Sequence, residues 1–356
     1  MDFRHEPIFD VEELRARVNK KLDKFIERQR PILVAVSADL DPVLSATRSI
    51  LAGGKRLRPV FAYWGWRGAG GADGEKVIAA VTSLEFLQAC ALVHDDVMDG
   101  SDTRRGQPSV HRRFATLHRD ASWAGSPDTF GQGAAILLGD LALTWADEML
   151  FQSGLSDESL LRAKPVYDRM RTELMAGQYL DLLEQARGGG SVDRALLVAR
   201  YKAAKYTVEG PLKLGGTLAG ASRELLDTYS AYGLPLGEAF QLRDDVLGVL
   251  GDPDVTGKPA GDDLREGKRT VLIAIAAERA TPAQASLIQQ HLGDPDLSGE
   301  GVDLLREVLT ETGSFDHVEV LIASRTEQAV SALSRIEEPT RSALADLALA
   351  ATTRRV

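Results

Sequence analysis

Apolar residues recur along this chain at the spacing of an α-helix. Between Val77 and Asp99, positions three or four residues apart form one stripe of mostly apolar side chains. Strand signals are nearly absent, and the apolar run Val271–Ala276 is alanine-rich, which favours a buried helix. The pattern predicts an all-α fold. Its further helices are predicted over Val11–Ala52, Gly133–Phe151, Ser159–Ala186, Val192–Ala219, Arg223–Leu250 and Arg269–Leu292, with two more after Val302.

Clusters of glycine, proline, serine and aspartate separate the predicted helices, as expected for turns. None is long or biased enough to be a domain linker, and no fixed-period repeat appears. We therefore expect one helical domain over residues 11–356, preceded by a loose arm over residues 1–10. The clusters lie at Gly53–Gly54, Gly68–Gly74, Asp120–Gly131, Gly188–Gly190, Gly251–Gly261 and Gly293–Gly301, and the stretch Asp120–Gln132 is expected to be a long loop.

Composition narrows the possible partners and the compartment. The chain has 356 residues, of which 44% are hydrophobic, so it can bury a sizeable core. Its net charge of −10 argues against nucleic acid as a partner, because phosphates would be repelled at long range. The single cysteine, Cys90, excludes an internal disulfide framework. Together with the lack of a signal peptide and of a long uninterrupted apolar span, this predicts a cytoplasmic protein.

Two aspartate clusters, His94–Asp99 and Arg243–Gly248, lie inside predicted helices. Acidic side chains packed this closely repel one another unless a cation neutralises them. Basic residues follow each cluster, so an anion is expected to complete the charge balance. A divalent metal together with phosphate is the simplest arrangement that neutralises both the acidic clusters and the basic residues. The basic residues are Arg104 and Arg105 after the first cluster, and Lys258 and Lys268 after the second.

The first cluster has the geometry of a metal site. Residues four apart on an α-helix differ by about 40° around its axis, so Asp95 and Asp99 project from one face. Asp96 points roughly 100° away from Asp95 and is a weaker candidate. Oxygen ligands suit Mg²⁺ or Mn²⁺, and so few carboxylates leave coordination positions for phosphate oxygens. The alternative is a solvated acidic helix end that stops at Gly100.

A basic turn, Gly53–Pro59, is predicted to close one helix and open another. Glycine allows close backbone approach to an anion, and lysine and arginine donate to phosphate oxygens. Charged turns are common, so this turn alone is weak evidence. In combination with four other motifs, the chain strongly resembles the trans-prenyl diphosphate synthases, or polyprenyl synthetases, from about Leu14 to beyond Lys268. The five motifs, in family order, are Gly53–Pro59, Gln88–Asp99, Asp102–Gly106, Phe240–Asp245 and Gly257–Asp263.

The resemblance implies a bundle of mostly antiparallel helices around a central cavity, usually in a homodimer. It also implies a reaction, the Mg²⁺-dependent head-to-tail condensation of isopentenyl diphosphate with an allylic diphosphate. About three Mg²⁺ ions are implied, with Mn²⁺ a possible substitute. Asp95 and Asp99 resemble the ligands of two metals and Asp244 that of the third. Asp96 and Asp245 would act as outer ligands or hydrogen-bond orienters.

Substrate contacts and catalytic roles also follow from the resemblance, position by position. His94 is left out, because a histidine there more often packs between helices. The residues that resemble the isopentenyl diphosphate site are Lys55, Arg58, Gln88 and Arg105. Those that resemble the allylic diphosphate contacts are Arg104, Lys202, Gln241, Lys258 and Lys268. Catalytic roles are expected for Asp95, Asp99, Asp244, Arg104, Lys202 and Lys258.

The chain departs from the family pattern at two positions. Gly248 replaces the last aspartate of the second cluster, and Lys202-Ala203 replaces a lysine-threonine pair. The nearby segment Lys205–Thr207 blurs that alignment by about one residue. Asp244 is retained, and diphosphate supplies further metal ligands, so activity is expected to survive. For the same reason, Gly248→Asp is expected to change turnover only modestly.

Product length is predicted from the helix before Asp95. In the resembled family, bulky residues four and five positions before the first aspartate often stop growth at C15. Here these are the small Ala91 and Cys90, and the next turn carries Leu87 and Phe86. One helical turn rises about 5.4 Å, roughly one isoprene unit, so C20 geranylgeranyl diphosphate is the expected product. The alternative is that these residues only pack against a neighbouring helix.

Other functions stay open on sequence alone. The product could be farnesyl diphosphate or a longer prenyl diphosphate. A class I terpene cyclase would share the helical fold and one aspartate motif, but it would lack the isopentenyl diphosphate site around Lys55, Arg58 and Arg105. A non-catalytic subunit of a heteromeric synthase would be expected to lose metal ligands, whereas both aspartate clusters are present here.

Overall fold

The computed structural model describes residues 11–251 and 261–353, and this part of the chain is helical nearly throughout. The predicted all-α fold is confirmed. The arm predicted over residues 1–10 lies outside the described residues, and the single domain over 11–356 stays a prediction. The first seven α-helices are α1 (Val11–Val36), α2 (Asp41–Leu51), α3 (Leu57–Gly68), α4 (Glu75–Met98), α5 (Val110–Asp120), α6 (Pro127–Phe151) and α7 (Asp157–Arg187).

The second half of the chain continues the bundle. A π-helix, Ala199–Glu209, joins the eighth and ninth α-helices without a break. A two-residue antiparallel hairpin, β1 (Thr103–Arg104) with β2 (Gln107–Pro108), interrupts the helices earlier in the chain. The remaining α-helices are α8 (Val192–Val198), α9 (Gly210–Ala219), α10 (Arg223–Leu250), α11 (Asp262–Arg265), α12 (Val271–Arg279), α13 (Pro282–His291), α14 (Gly299–Glu311), α15 (Ser314–Ala332) and α16 (Thr340–Thr352). Short 3₁₀ turns cover Ala38–Leu40 and Leu333–Arg335.

Helix boundaries correct several of the sequence expectations. The stretch Val11–Ala52 is not one helix, because Ser37 is extended and caps the following 3₁₀ turn. The loop expected up to Gln132 ends much earlier. Ser126 accepts a hydrogen bond from the backbone of Thr129, and Pro127 begins α6.

The helices after Arg269 differ from the prediction in two ways. Arg269–Leu292 is divided between α12 and α13, because Thr281 forms a capping box and Pro282 starts a new helix. Two helices were predicted after Val302, whereas the described residues there have three α-helices, of which α14 begins earlier, at Gly299. The prediction that Val271–Ala276 is a buried helix is confirmed, since all six residues are buried within α12.

Helix α4 is the central element of the core. It packs along α6 and also contacts α1, α2 and α3. Phe86, in the middle of α4, is fully buried between Phe25 and Trp145, with ring centroids 4.8 Å and 5.9 Å away. By length and composition alone α4 is apolar enough to cross a membrane, but 72% of that window is buried inside the protein. Core helices of soluble proteins pass the same test.

Two glycines fix the π-helix between α7 and α10. A Cβ on Gly177 would lie 2.4 Å from the Lys202 nitrogen, and one on Gly237 would lie 2.5 Å from the Ala204 Cα. Both contacts are with backbone atoms, so larger residues would force the helices apart. This close packing holds the side of the π-helix that carries Lys202 beside α4 and α7.

Candidate active site

A cavity of about 940 Å³ opens between α4, α7, the π-helix and α10. It brings together most of the residues predicted from the sequence, although they come from distant parts of the chain. Lys258 lies outside the described residues, so its predicted role stays a prediction. The predicted residues that line the cavity are Lys55, Arg58, Gln88, Ala91, Asp95, Arg104, Arg105, Lys202, Gln241, Asp244 and Lys268.

Asp95 lies at the acidic end of the cavity. Its Oδ1 accepts hydrogen bonds from Lys202 Nζ at 3.0 Å and from Gln178 Nε2 at 2.9 Å. Lys202 also donates to Asp181 Oδ2 at 2.6 Å. Burial alone would raise the pKa of Asp95, but the charges of Lys202, Lys268 and Arg104 outweigh it and hold the pKa below its usual range. Asp95 is therefore ionised.

Sequence reasoning missed Gln178 and Asp181. Their only signal is a polar pair three residues apart on the predicted helix that became α7. Both side chains point into the cavity, where they contact Asp95 and Lys202. Burial lowers the pKa of Lys202, but the carboxylates of Asp95 and Asp181 raise it above its ordinary value, so the ammonium stays charged.

Asp96 positions Arg104 at the edge of the first cluster. It is fully buried, and Arg104 donates from Nε to Asp96 Oδ1 at 2.9 Å. This leaves the Arg104 guanidinium 3.6 Å from Asp95 Oδ2, where it faces the cavity. The geometry matches the orienting role expected for Asp96, because its carboxylate holds a cationic side chain.

Asp99 has carboxylate oxygens suited to a metal ion. Its side chain is only 1% exposed, and neither oxygen accepts a hydrogen bond from the part of the chain that the structure describes. The nearest described cation is Lys268, with Nζ 3.4 Å from Asp99 Oδ2. Burial and the negative charge of Asp95 raise the pKa of Asp99 to about 6. Buried oxygens without donors, next to ionised Asp95, fit a hard divalent cation.

The second cluster lies on α10 across the cavity. Asp244 lines the wall, while Asp245 is buried and accepts a hydrogen bond from Gln241 Nε2 at 2.7 Å. Burial, followed by the charges of Asp263 and Asp244, raises the pKa of Asp245 to about 8. The hydrogen bond from Gln241 fixes the orientation of the Asp245 carboxylate.

Lys268 lies between Asp99 of the first cluster and Asp263, which lines the cavity on the side of the second cluster. Its Nζ is 3.4 Å from Asp99 on one side, 3.3 Å from Asp263 on the other, and 2.6 Å from Glu266. Burial lowers its pKa, but these carboxylates raise it well above its ordinary value. The ammonium thus balances carboxylates on both sides.

The basic turn forms the opposite end of the cavity. Arg105 reaches back to it and donates from Nη1 to the Ala52 carbonyl at 2.8 Å. Burial lowers the pKa of the Arg105 guanidinium; the carboxylate of Glu85 opposes this shift, but three neighbouring guanidiniums, those of Arg56, Arg104 and Arg58, lower the pKa further. A local excess of positive charge of this kind favours a bound anion.

Arg58 and Gln88 are both held by the π-helix. The Arg58 guanidinium lies 4.1 Å from the centre of the Tyr206 ring and donates to Thr207 Oγ1 at 2.8 Å. The Tyr206 hydroxyl donates to Gln88 Oε1. Sequence reasoning missed this role of Tyr206, because the segment Lys205–Thr207 only blurred the alignment. Lys205 is bound to Glu173 at 2.9 Å, whereas Lys202 lines the cavity.

The predicted product-length residues separate into two groups. Ala91 belongs to the described cavity wall, but Phe86, Leu87 and Cys90 do not and are buried in the core. Phe86 and Leu87 were expected to limit the length of the product tail, but neither residue is part of the described cavity wall. Leu174, on α7 four residues before Gln178, is an apolar residue of the cavity wall. As expected for a packing residue, His94 contacts the Ile136 carbonyl at 3.0 Å.

Comparison with known proteins identifies the family. Residues 42–309 match the polyprenyl synthetase family. The chain belongs to that family. A solved geranylgeranyl pyrophosphate synthase from Corynebacterium glutamicum, in complex with isoprenyl diphosphate and magnesium, superposes with a TM-score of 0.94 at 42% identity. The superposition covers 98% of this chain and 100% of that one.

Curated relatives agree on the type of enzyme. A geranylfarnesyl diphosphate synthase from Aeropyrum pernix is 33% identical over 81% of this chain and 85% of its own length. A geranylgeranyl diphosphate synthase from Methanosarcina mazei is 31% identical over 85% of this chain and 89% of its own length. This polyprenyl synthetase is therefore a prenyl diphosphate synthase, and the two relatives differ in the product that they are named for.

Proposed function

We propose that this enzyme condenses isopentenyl diphosphate with an allylic diphosphate, head to tail, and that its main product is C20 geranylgeranyl diphosphate. The observation that carries the proposal is one cavity with an acidic end and a basic end. The acidic end suits a diphosphate that binds through metal ions, and the basic turn suits a diphosphate that binds directly. Two diphosphate substrates are what this condensation needs.

The basic turn is the proposed site for isopentenyl diphosphate. Lys55, Arg58 and Arg105 supply the cationic groups, and Gln88 lines the same cavity. The acidic end is the proposed site for the allylic diphosphate. There Asp95, Asp99 and Asp244 would hold about three Mg²⁺ ions, with Mn²⁺ as a possible substitute, and the related Corynebacterium structure with magnesium supports this metal.

The difficult step is the separation of diphosphate from carbon, because negative charge accumulates on the leaving group. Bound Mg²⁺ would supply Lewis-acid neutralisation of that charge. Lys202 and Arg104 are charged and preorganised beside Asp95, so they can donate to the leaving oxygens without reorganisation. The released diphosphate remains next to the new bond and is the proposed acceptor of the proton that is lost.

Apolar side chains below the acidic end support the proposed chain length. Gln178 on α7 contacts Asp95 on α4, so the next turns of these helices bring Leu174 and Ala91 to the same depth of the cavity. One turn is about 5.4 Å, roughly one isoprene unit. The small Ala91 leaves room where a bulky residue would stop growth, and Leu174 is the proposed limit for longer tails.

We also propose a homodimer, with α6 as its interface. Phe130, Leu137 and Phe151 are separated by multiples of seven residues, so they lie on one stripe of α6. All three are exposed, and Leu137 is 70% exposed. A second copy would cover this stripe, because an isologous pair brings the same apolar surface from both chains. Light scattering should give a molar mass of two chains. In the variant Leu137→Glu the measured mass should fall towards that of one chain.

The enzyme is proposed to be cytoplasmic. Cys90 is free and fully buried, so a reducing compartment is compatible with the fold. Fractionation of the native host cells would test this, since activity in the membrane pellet would contradict it.

One assay tests the catalytic proposal. The purified protein is incubated with Mg²⁺, labelled isopentenyl diphosphate and each allylic primer separately, and the chain length of the products is measured. The expected main product is C20, and EDTA should abolish its formation. A main product of C15, or one longer than C20, would overturn the proposed product length. No product with any primer would favour a non-catalytic subunit of a heteromeric synthase.

A further inference from the structure

A second cavity, of about 410 Å³, lies between α2, the hairpin and the start of α5. Arg104 and Arg105 line both this second cavity and the larger one described above. Among the described residues, the two walls have only these two arginines in common. The second cavity is therefore a separate space that adjoins the basic turn.

The second cavity has an excess of positive charge. None of the described residues that line it is acidic, although the chain has a net charge of −10. In the part of the chain that the structure describes, neither Arg105 nor Arg113 pairs with a carboxylate. Instead, Arg105 Nη1 donates to the Ala52 carbonyl at 2.8 Å, and Arg113 Nη2 donates to Ser45 Oγ at 2.7 Å. A guanidinium has five N–H donors, so both side chains can still donate to an anion.

The rest of the wall is mostly apolar. Ile50 of α2, Pro108 of the hairpin and Val110 of α5 line the cavity together with two alanines. An inorganic anion would leave these side chains in contact with water, whereas an apolar chain on the anion would cover them. Sites for small organic ligands usually have volumes of roughly 300–1,000 Å³, and the second cavity falls in this range.

We propose that the second cavity is a regulatory site for a phosphate monoester with a short apolar chain, whose phosphate binds Arg105 and Arg113. Neither Arg113 nor the apolar wall has a part in the proposed condensation. The effect on turnover, however, rests on the proposed function of the basic turn. Because Arg105 belongs to both cavities, a phosphate in the second cavity would compete for the guanidinium that isopentenyl diphosphate uses. Each ligand should therefore weaken the binding of the other by the same factor.

Binding of geranyl phosphate tests the site, because this compound lacks the diphosphate leaving group and is not condensed. Isothermal titration calorimetry is carried out on the full-length enzyme with Mg²⁺ and pyrophosphate present to occupy the acidic end. Arg113→Gln should weaken binding by about tenfold or more, because charged hydrogen bonds are lost. Inorganic phosphate should bind much more weakly than geranyl phosphate. Equal binding of the two compounds would overturn the proposed ligand class, and no binding of geranyl phosphate would overturn the site.

Steady-state kinetics test the regulatory effect at a saturating concentration of allylic primer. Geranyl phosphate should raise KM for isopentenyl diphosphate to a plateau, because an occupied second cavity engages only one of the cations around the basic turn. A competitor in the larger cavity would raise KM without limit. In Arg113→Gln the kinetic constants without geranyl phosphate should be native, and the plateau should require about tenfold more of the compound.

Two further variants make the binding result specific. Arg119→Gln is the matched control, because Arg119 also lies on α5 and donates to a hydroxyl, that of Thr116 at 3.0 Å, but does not line the second cavity. Ser49 is exposed on α2 and lines the second cavity, so Ser49→Trp should fill it and abolish binding. Equal binding by Arg113→Gln and Arg119→Gln would overturn the proposal, and so would native binding by Ser49→Trp.

The outcomes also separate this inference from the proposed function. If the enzyme makes prenyl products but Arg113→Gln binds geranyl phosphate normally, only the inference fails. If the native protein makes no product while the calorimetric results are as expected, only the proposed function fails. Should Arg113→Gln not fold, as judged by circular dichroism, the comparison of Ser49→Trp with the native enzyme still decides.

Discussion

Arg56 and Glu85 form a buried salt bridge, with Nη1 2.5 Å from Oε2, that joins the basic turn to the central helix α4. Arg56 has a left-handed backbone, with φ at 52°, a conformation that favours glycine. Its guanidinium also donates to the Leu51 carbonyl and to Asn19. These contacts keep the turn in the conformation that directs Lys55 and Arg58 into the cavity.

Removal of Glu85 should therefore destabilise the enzyme. Glu85→Gln leaves a buried guanidinium without its counter-charge, which costs about 3–5 kcal/mol of unfolding free energy. Chemical denaturation measures the loss. Glu338→Gln, in an exposed pair with Arg341, is the control and should leave the unfolding free energy nearly unchanged. Equal effects of the two substitutions would show that the buried pair does not hold the turn.

Turnover is expected to depend on metal ions that bind Asp95 and Asp244. Asp95→Asn and Asp244→Asn should each lower kcat by about 100-fold or more, because charge on the leaving diphosphate is no longer neutralised. Circular dichroism should show native helix content in both variants. EDTA should abolish turnover and Mg²⁺ should restore it. Full activity in either variant would remove that residue from the metal site.

Product length is expected to respond at the two walls below Asp95. Ala91→Phe should shorten the main product towards C15, because the ring fills the first turn of the tail path. Leu174→Ala should lengthen the product by opening the facing wall. Chromatography of dephosphorylated products measures both. Phe86, on the turn before Cys90 and Ala91, packs between Phe25 and Trp145 rather than on the described cavity wall.

Phe86→Ala therefore serves as the comparison for the length prediction. It should reduce stability by about 3–5 kcal/mol, as a large-to-small core substitution does, with little change in product length. Longer products from Phe86→Ala, together with an unchanged product distribution from Leu174→Ala, would show that residues of α4 determine the product length.

Tyr206 is expected to position the isopentenyl diphosphate site. Tyr206→Phe removes the hydrogen bond to Gln88 but retains the ring under Arg58, so it should cost about 1 kcal/mol in binding, roughly fivefold in KM. Tyr206→Leu also removes the cation–π contact and should have a larger effect. Steady-state kinetics should show the change for isopentenyl diphosphate and not for the allylic primer. Equal changes for both substrates would indicate general disruption.

Cys90 should be unreactive in the folded enzyme. Burial, with the charge of Asp140, raises the pKa of its thiol to about 12. Only the thiolate reacts with disulfide reagents, so at pH 8 the reactive fraction is about 10⁻⁴. Modification by a chromogenic disulfide should be slow, because the thiol is both protonated and fully buried. The guanidinium-unfolded chain should react quickly with one equivalent, and rapid modification of the native enzyme would contradict the prediction.

Local sequence determined the features that lie within one helix or one turn. The helical repeat predicted α10 over Arg223–Leu250 with both boundaries correct, because Ser222 caps its start and Gly251 follows its end. Asp95 and Asp99 were predicted to share a face because four residues make about one turn. The basic turn was placed between two helices for the same local reason, and its glycines both have positive φ.

Only the tertiary structure decided which side chains meet across the cavity. Gln178 contacts Asp95 from 83 residues away, and Tyr206 contacts Gln88 from 118 residues away. Such pairs depend on how α7 and the π-helix pack against α4 and against each other, and Gly177 allows the backbones of α7 and the π-helix to come into contact. The carboxylate of Asp263 stands beside Gly248 for the same reason. Periodicity specifies the faces of a helix, but the packing of its neighbours decides what each face touches.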